Sequence, residues 1–233
     1  MLSMVFNLYS CFVKNRTRKL FTLLLFATAI IFMWKGYQYL MFTNTVNEIT
    51  RTNVKVTIYY EALCSDSRNF ILKQLVPTYN DLGGYIDLDL VPYGKAQTFE
   101  KDGEITFKCQ HAALECLANK VHACSLQHVK EQSLQLQYIS CMIKDNMMPY
   151  EIGEKCAKQL GIVYDPISQC AHEKQASLLL KEYGVRTQGV KPKITFIPTI
   201  ALDEQQSVPL VRLLKNLKKE ICNYLNLKTP PCL

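Results

Sequence analysis

Val54-Lys-Val-Thr-Ile-Tyr-Tyr60-Glu-Ala-Leu-Cys64-Ser-Asp-Ser67 is the stretch that decides how this chain folds. Residues 53–60 alternate Val, Ile and Tyr in the manner of a β-strand. From Ser65 to Tyr79, Phe70, Ile71, Gln74 and Leu75 fall at helical spacing, and Pro77 marks the helix end. Cys64 therefore sits at a strand-to-helix junction, where the unpaired amides of a first helical turn and the positive end of its dipole favour a thiolate. Asp66 opposes that effect in part and Arg68 offsets it. Three residues on, Ser67 stands where a second thiol would complete a redox pair, so disulfide chemistry here must run on one local sulfur.

Working outward, Gly83-Gly84 reads as a turn, and residues 85–91 alternate apolar with acidic residues as a half-buried strand does. The two strands, joined through the helix, make a parallel crossover unit. Residues 95–108 read as a loop with a possible hairpin at Asp102-Gly103, and apolar residues recur at helical intervals over residues 112–160, broken at Met147-Met-Pro149. A further helix is expected over residues 166–183 with Gly184 as its C-cap, then a loop over residues 187–193. Residues 194–201 read as a strand interrupted by Pro198, followed by a polar turn at residues 203–206 and a helix over residues 209–225.

The chain has 233 residues, 48% of them hydrophobic, and a net charge of +7. That suits one domain of ordinary size plus a targeting segment. Lys14, Arg16, Arg18, Lys19 and Lys35 all precede residue 47, where no acid occurs; of the 27 basic residues this leaves 22 against 20 acidic ones. The folded part thus lacks the clustered basic face that nucleic acid requires, and that class of partner is set aside. Residues 20–34 are uncharged and apolar behind a basic cluster, which places the flank 1–19 in the cytosol and the body in a lumen or outside. Residues 20–42 are expected to be a signal peptide or a signal anchor, the latter making the protein a type II membrane protein with the membrane as a partner. Residues 43–52 read as a linker and residues 53–233 as the folded domain.

Ten cysteines occur, and Cys11 lies in the flank. If Cys64 stays reduced, Cys109, Cys116, Cys124, Cys141, Cys156, Cys170, Cys222 and Cys232 are enough for four disulfides, of undetermined pairing, in an oxidising compartment. The spacings lack the close Cys-x-x-Cys pair of a structural zinc site, and no metal is expected.

Cys109-Gln-His-Ala-Ala-Leu-Glu-Cys116-Leu-Ala-Asn119-Lys-Val-His-Ala-Cys124 resembles the signature of the gamma-interferon-inducible lysosomal thiol reductases, departing only at Ala112, where that family has glycine. Tyr59-x-Glu61-Ala-Leu-Cys64, Val91-Pro-Tyr-Gly94, Ile197-Pro198 and the trailing cysteines extend the likeness from about Val54 to Cys232. The resemblance implies an α/β, thioredoxin-like fold with a disulfide-rich helical insertion at about residues 105–165. It implies that Cys64 is the nucleophile, that Pro198 is a cis-proline facing it, and that Ile197 and Pro198 hold an extended substrate. The family's usual site is Cys-x-x-Cys, and Ser67 departs from it.

Cys64 can attack a substrate disulfide, but the Ser67 alcohol cannot displace the product. Release then falls to an external thiol such as glutathione or cysteine, or to a second thiol of the substrate, with no bound cofactor. The expected activity is reduction or isomerisation of protein disulfides in the secretory or endolysosomal lumen or outside the cell. The competing reading is a binding module that holds or traps cysteine-containing chains, with Cys64 inert or covalently paired. His111 is expected to be structural, bonded to nearby backbone, and Glu115 and Asn119 to bond along one helix face.

Overall fold

A computed structural model of the chain describes residues 26–41, 53–228 and 230–233. The chain divides into two units, Met1–Arg51 and Thr52–Leu233. In the first, residues 26–41 form a helix, α1, with exposed apolar side chains such as Phe26 and Trp34. Among the described residues no helix is long and apolar enough to cross a membrane. The flank 1–19, the remainder of the expected targeting segment at 20–25 and 42, and the linker 43–52 lie outside the described residues.

The second unit is built on three strands, β1 (Val54–Tyr60), β2 (Ile86–Pro92) and β5 (Thr199–Leu202), in the order β2-β1-β5. β1 runs parallel to β2 from Val54↔Ile86 to Tyr60↔Pro92, and antiparallel to β5 from Val56↔Leu202 to Tyr59↔Thr199. The alternation in β1 buries Val54, Val56, Ile58 and Tyr60 in the main core. Tyr59 joins a second cluster with Val91, Ile197 and Ala201, so the central strand is covered on both faces. Each fully buried aliphatic side chain contributes about 1.5–3 kcal/mol.

Between β1 and β2 the helix does not stop at Pro77. α2 (Ser65–Phe70) runs through a π turn, Ile71–Leu75, into α3 (Val76–Leu82), with Pro77 in the first turn of α3. The widened turn accommodates a residue that has no N–H to donate, and a proline is tolerated at the start of the new segment. β3 (Gln97–Lys101) and β4 (Glu104–Lys108) form the expected hairpin, and both turn residues, Asp102 (φ 51°) and Gly103 (φ 77°), take the left-handed conformation such a two-residue loop needs.

Between β4 and β5 lie α4 (Ala112–His128), α5 (Gln132–Met142), α6 (Pro149–Leu160), α7 (Asp165–His172) and α8 (Lys174–Gly189), so the run of helices continues past the insertion expected at about residues 105–165. Disulfides join Cys124 of α4 to Cys170 of α7, and Cys141 of α5 to Cys156 of α6. Cys109–Cys116 closes the entry to α4, and Cys222–Cys232 ties the C-terminal tail back onto the last helix. Each bridge restricts the unfolded chain and adds roughly 2–4 kcal/mol.

The later elements also differ from the sequence expectation. The helix expected over residues 166–183 breaks at Glu173, whose backbone is extended, and resumes to Gly189, so the expected loop at 187–193 is shortened to its second half. The strand expected over residues 194–201 begins only at Thr199, because Pro198 has no donor for the ladder. The C-terminal helix is two pieces, α9 (Leu210–Lys215) and α10 (Leu217–Tyr224), separated by Asn216, whose side chain caps α10 by accepting the Lys219 N–H at 3.2 Å.

Gly184 is not a C-cap. It lies inside α8 against the ring of Tyr93, where an added Cβ would come within 2.6 Å of the ring. Tyr93 is buried and its hydroxyl is 2.8 Å from Thr98 Oγ1, so it cannot withdraw without losing that bond. Gly184→Ala is therefore expected to destabilise the protein by about 1–3 kcal/mol, read as a lower denaturant midpoint at unchanged slope.

Candidate active site

The chain leaves the sheet at Tyr60, and Glu61-Ala62-Leu63 carry it to Cys64, the N-cap residue of α2. The Cys64 carbonyl accepts the Arg68 N–H at 3.0 Å, which starts the helix. Cys64 is half-buried and is the free cysteine among the described residues. Its Sγ lies 4.0 Å from the carbonyl oxygen of Ile197, and the Ile197–Pro198 peptide is cis. Cys64, Ile197 and Pro198 are thus brought together across 133 residues of sequence. Beside them a cleft of about 280 Å³ is lined by Asp66, Phe70, Lys73, Phe196, Pro198 and Leu214.

Ser67 is buried, and its Oγ accepts the Glu61 N–H at 3.3 Å. The hydroxyl thus ties the first turn of α2 to the end of β1, a role that a helix-start serine donating to its own turn would not have.

A buried polar network supports the loop from the core side. The Ala62 N–H donates to Asn119 Oδ1 at 2.9 Å, and the Ala62 carbonyl accepts from Asn146 Nδ2 at 3.4 Å. Asn146 Nδ2 also lies 3.1 Å from His122 Nε2, and His122 Nδ1 lies 3.0 Å from the Tyr60 hydroxyl. Burial pushes His122 down to about 3, so the imidazole is neutral and Nε2 accepts from the Asn146 amide. Asn119 therefore bonds to the active-site loop, and the expected bond to Glu115 along the helix is not made. Nothing in the local sequence of His122, Asn146 or Tyr60 marks this network, because its bonds join segments far apart in the chain.

On the other side, Glu61 is buried and its Oε1 accepts the Lys95 N–H at 2.7 Å. Its side chain passes directly over Gly94, where a Cβ would lie 2.1 Å from Glu61 Cγ and where φ is +59°. His111 is not bonded to a backbone acceptor as expected; its Nδ1 is 2.5 Å from Glu115 Oε2 and 3.8 Å from Glu61 Oε2. The fold delivers two carboxylates, from Glu115 and Glu61, to this one ring, so the backbone partner is displaced. Burial raises Glu61 to about 7; Glu115 adds to the rise, while the Lys95 amide, the Lys95 charge and His111 oppose it.

Ala112, the departure from the signature, starts α4 with φ +66°. Glycine occupies this conformation without the steric cost an L side chain carries. Ala112→Gly is expected to stabilise the protein by about 0.5–1 kcal/mol, measured as a rise in denaturant midpoint.

The eight cysteines expected to be structural all form disulfides, paired as described above. A family model described as "Gamma interferon inducible lysosomal thiol reductase (GILT)" matches residues 55–160. The chain is 35% identical over 195 residues to GILT-like protein 1 of Drosophila melanogaster, an alignment covering 76% of this chain and 77% of that protein. It is 32% identical over 154 residues to the gamma-interferon-inducible lysosomal thiol reductase of Mus musculus, covering 65% of this chain and 61% of that one. Among solved structures, Chlamydia trachomatis DsbA is similar with a TM-score of 0.54 at 14% identity, covering 76% of this chain and 88% of that chain, which places the fold as thioredoxin-like.

Proposed function

The chain belongs to the gamma interferon inducible lysosomal thiol reductase family, and from that premise we propose that it is a thiol-disulfide oxidoreductase acting through the single nucleophile Cys64. The observation that carries this reading is the unpaired Cys64 thiol set 4.0 Å from the backbone carbonyl that precedes a cis-proline, in a domain whose other described cysteines are all in disulfides.

The Ile197 carbonyl offers an acceptor to the N–H of an extended substrate laid against Pro198, which brings a substrate disulfide to Cys64. The Cys64 thiolate attacks one sulfur, forming a mixed disulfide and releasing the other substrate sulfur as a thiolate. Ser67 cannot resolve this species. A glutathione or cysteine thiolate then attacks it, expelling the reduced substrate and leaving the small thiol on Cys64. A second small thiol restores Cys64 and departs as the oxidised disulfide. Two external thiols are thus oxidised for each substrate disulfide reduced. Where the substrate itself carries a further thiol, its attack returns an isomerised disulfide with no net oxidation.

The four disulfides support an oxidising lumen, in the secretory or endolysosomal system or outside the cell, as the place of action. The test is reduction of a disulfide-bonded, denatured protein by the full chain over a range of glutathione concentrations. The expected result is a rate above that of glutathione alone, with a mixed disulfide on Cys64 found by mass spectrometry. A mixed disulfide that accumulates without turnover would instead identify a trap.

A further inference from the structure

We propose that Glu61, His111 and Glu115 form a binding site for a divalent cation of the zinc class at the start of α4, separate from the Cys64 thiol. One oxygen of each carboxylate and Nδ1 of His111 lie within 4.8 Å of one another. Zinc holds nitrogen and oxygen ligands at about 2.0–2.2 Å, so ligands around one ion sit somewhat over 3 Å apart. The observed set straddles that spacing, and His111, 46% exposed, is the member able to adjust.

The way the carboxylates are held is the independent support for a site. Glu61 commits Oε1 to the Lys95 backbone N–H at 2.7 Å and turns Oε2 toward His111. Glu115 does the same: Oε1 accepts the His111 backbone N–H at 3.1 Å, and Oε2 faces the His111 ring. Two carboxylates from separate chain segments thus each have one oxygen anchored by an amide and the other aimed at a common point, as outer-shell bonds orient metal ligands. Their side chains are only 1% and 0% exposed, and among the described residues His111 is the salt-bridge partner of both.

Gln110 borders the site. Its amide nitrogen donates to both Glu61 carboxylate oxygens, at 3.1 and 3.2 Å, and so helps to hold that carboxylate in place. Two carboxylate oxygens and one imidazole, with a fourth position open through the exposed edge of His111, suit Zn²⁺ or a similar first-row ion better than Ca²⁺, which takes six to eight oxygens. A bound ion would link the segment three residues before Cys64 to the first turn of α4.

Binding is measured by titration calorimetry with Zn²⁺ on the full chain with its disulfides intact and Cys11→Ser and Cys64→Ser introduced, so that no thiol competes. The absorption of added Co²⁺ reports ligand type. The expected result is one ion per chain at micromolar or tighter affinity, Co²⁺ bands without thiolate charge transfer, and at least about tenfold weaker binding with His111→Ala or Glu115→Gln. Absence of micromolar binding, or affinity unchanged by His111→Ala, overturns the proposal and leaves an ordinary imidazole–carboxylate hydrogen bond. Should Glu115→Gln fail to fold by circular dichroism, the half-exposed His111 variant decides. None of these readouts depends on disulfide reduction, so the result stands apart from the proposed activity.

Discussion

Cys64→Ser is expected to lower disulfide reduction by the protein to the rate of glutathione alone, a loss of at least about two orders of magnitude, because an alcohol neither attacks a disulfide nor forms one. The structure makes this a clean test. The Cys64 sulfur is half-buried, and its one hydrogen-bond contact is the long 4.0 Å approach to the Ile197 carbonyl. Exchange for a hydroxyl of similar shape should change stability by no more than about 0.5 kcal/mol. Thermal unfolding of the variant alongside the kinetic assay checks that point. An unchanged rate in a folded Cys64→Ser protein would show that Cys64 does no chemistry and would overturn the proposed mechanism, whereas a wild-type rate no higher than that of glutathione alone would leave the binding module as the reading.

Ser67→Cys is expected to have the second large effect, in the opposite direction. Cys64 caps α2 and Ser67 lies in its first turn, buried and facing back toward the end of β1. A thiol at 67 can displace the reduced substrate intramolecularly, and well-oriented intramolecular attack competes with any practical concentration of external thiol. At limiting glutathione, release of the first product should accelerate by roughly tenfold or more, and the mixed disulfide on Cys64 should no longer accumulate. The substitution carries a cost: sulfur is a poorer acceptor than the Ser67 hydroxyl, and weakening the bond from the Glu61 N–H should destabilise the protein by about 1 kcal/mol. A mixed-disulfide lifetime that still scales with glutathione would mean that position 67 cannot reach the Cys64 sulfur.

How much of this was legible beforehand follows the range of each interaction. The strand ending at Tyr60, the helix beginning at Ser65 and the parallel second strand were readable because alternation and helical spacing are local patterns. The breaks were harder. Pro77 reads as a terminator, yet a π turn carries the helix past it, and Gly184 reads as a cap, yet serves packing against Tyr93 from far along the chain. Nothing local to either residue distinguishes the two meanings.

The same division runs through the site. Cys64, Ser67, Ile197 and Pro198 are read as site residues from motif and position, and the structure brings the thiol and the Ile197 carbonyl together. The bonding partners of the signature residues differ from those expected. His111, Glu115 and Asn119 look like a helix talking to itself, but Asn119 reaches Ala62 across 57 residues, and Glu61 closes on the His111 ring from the end of β1. A hydrogen bond between segments that distant leaves no periodicity for a sequence to show.

By itself, then, the sequence determined a strand-helix unit with a lone cysteine at its junction and an even set of remaining folded-domain cysteines, because residue identity and spacing specify secondary structure and covalent capability. The pairing of the disulfides, the meeting of Cys64 with the Ile197–Pro198 backbone, and the convergence of two buried carboxylates on His111 were decided only by the tertiary structure. The reason is physical: these are distances of a few ångströms between groups from a few to more than a hundred residues apart, and only packing of the whole core selects among the possible partners.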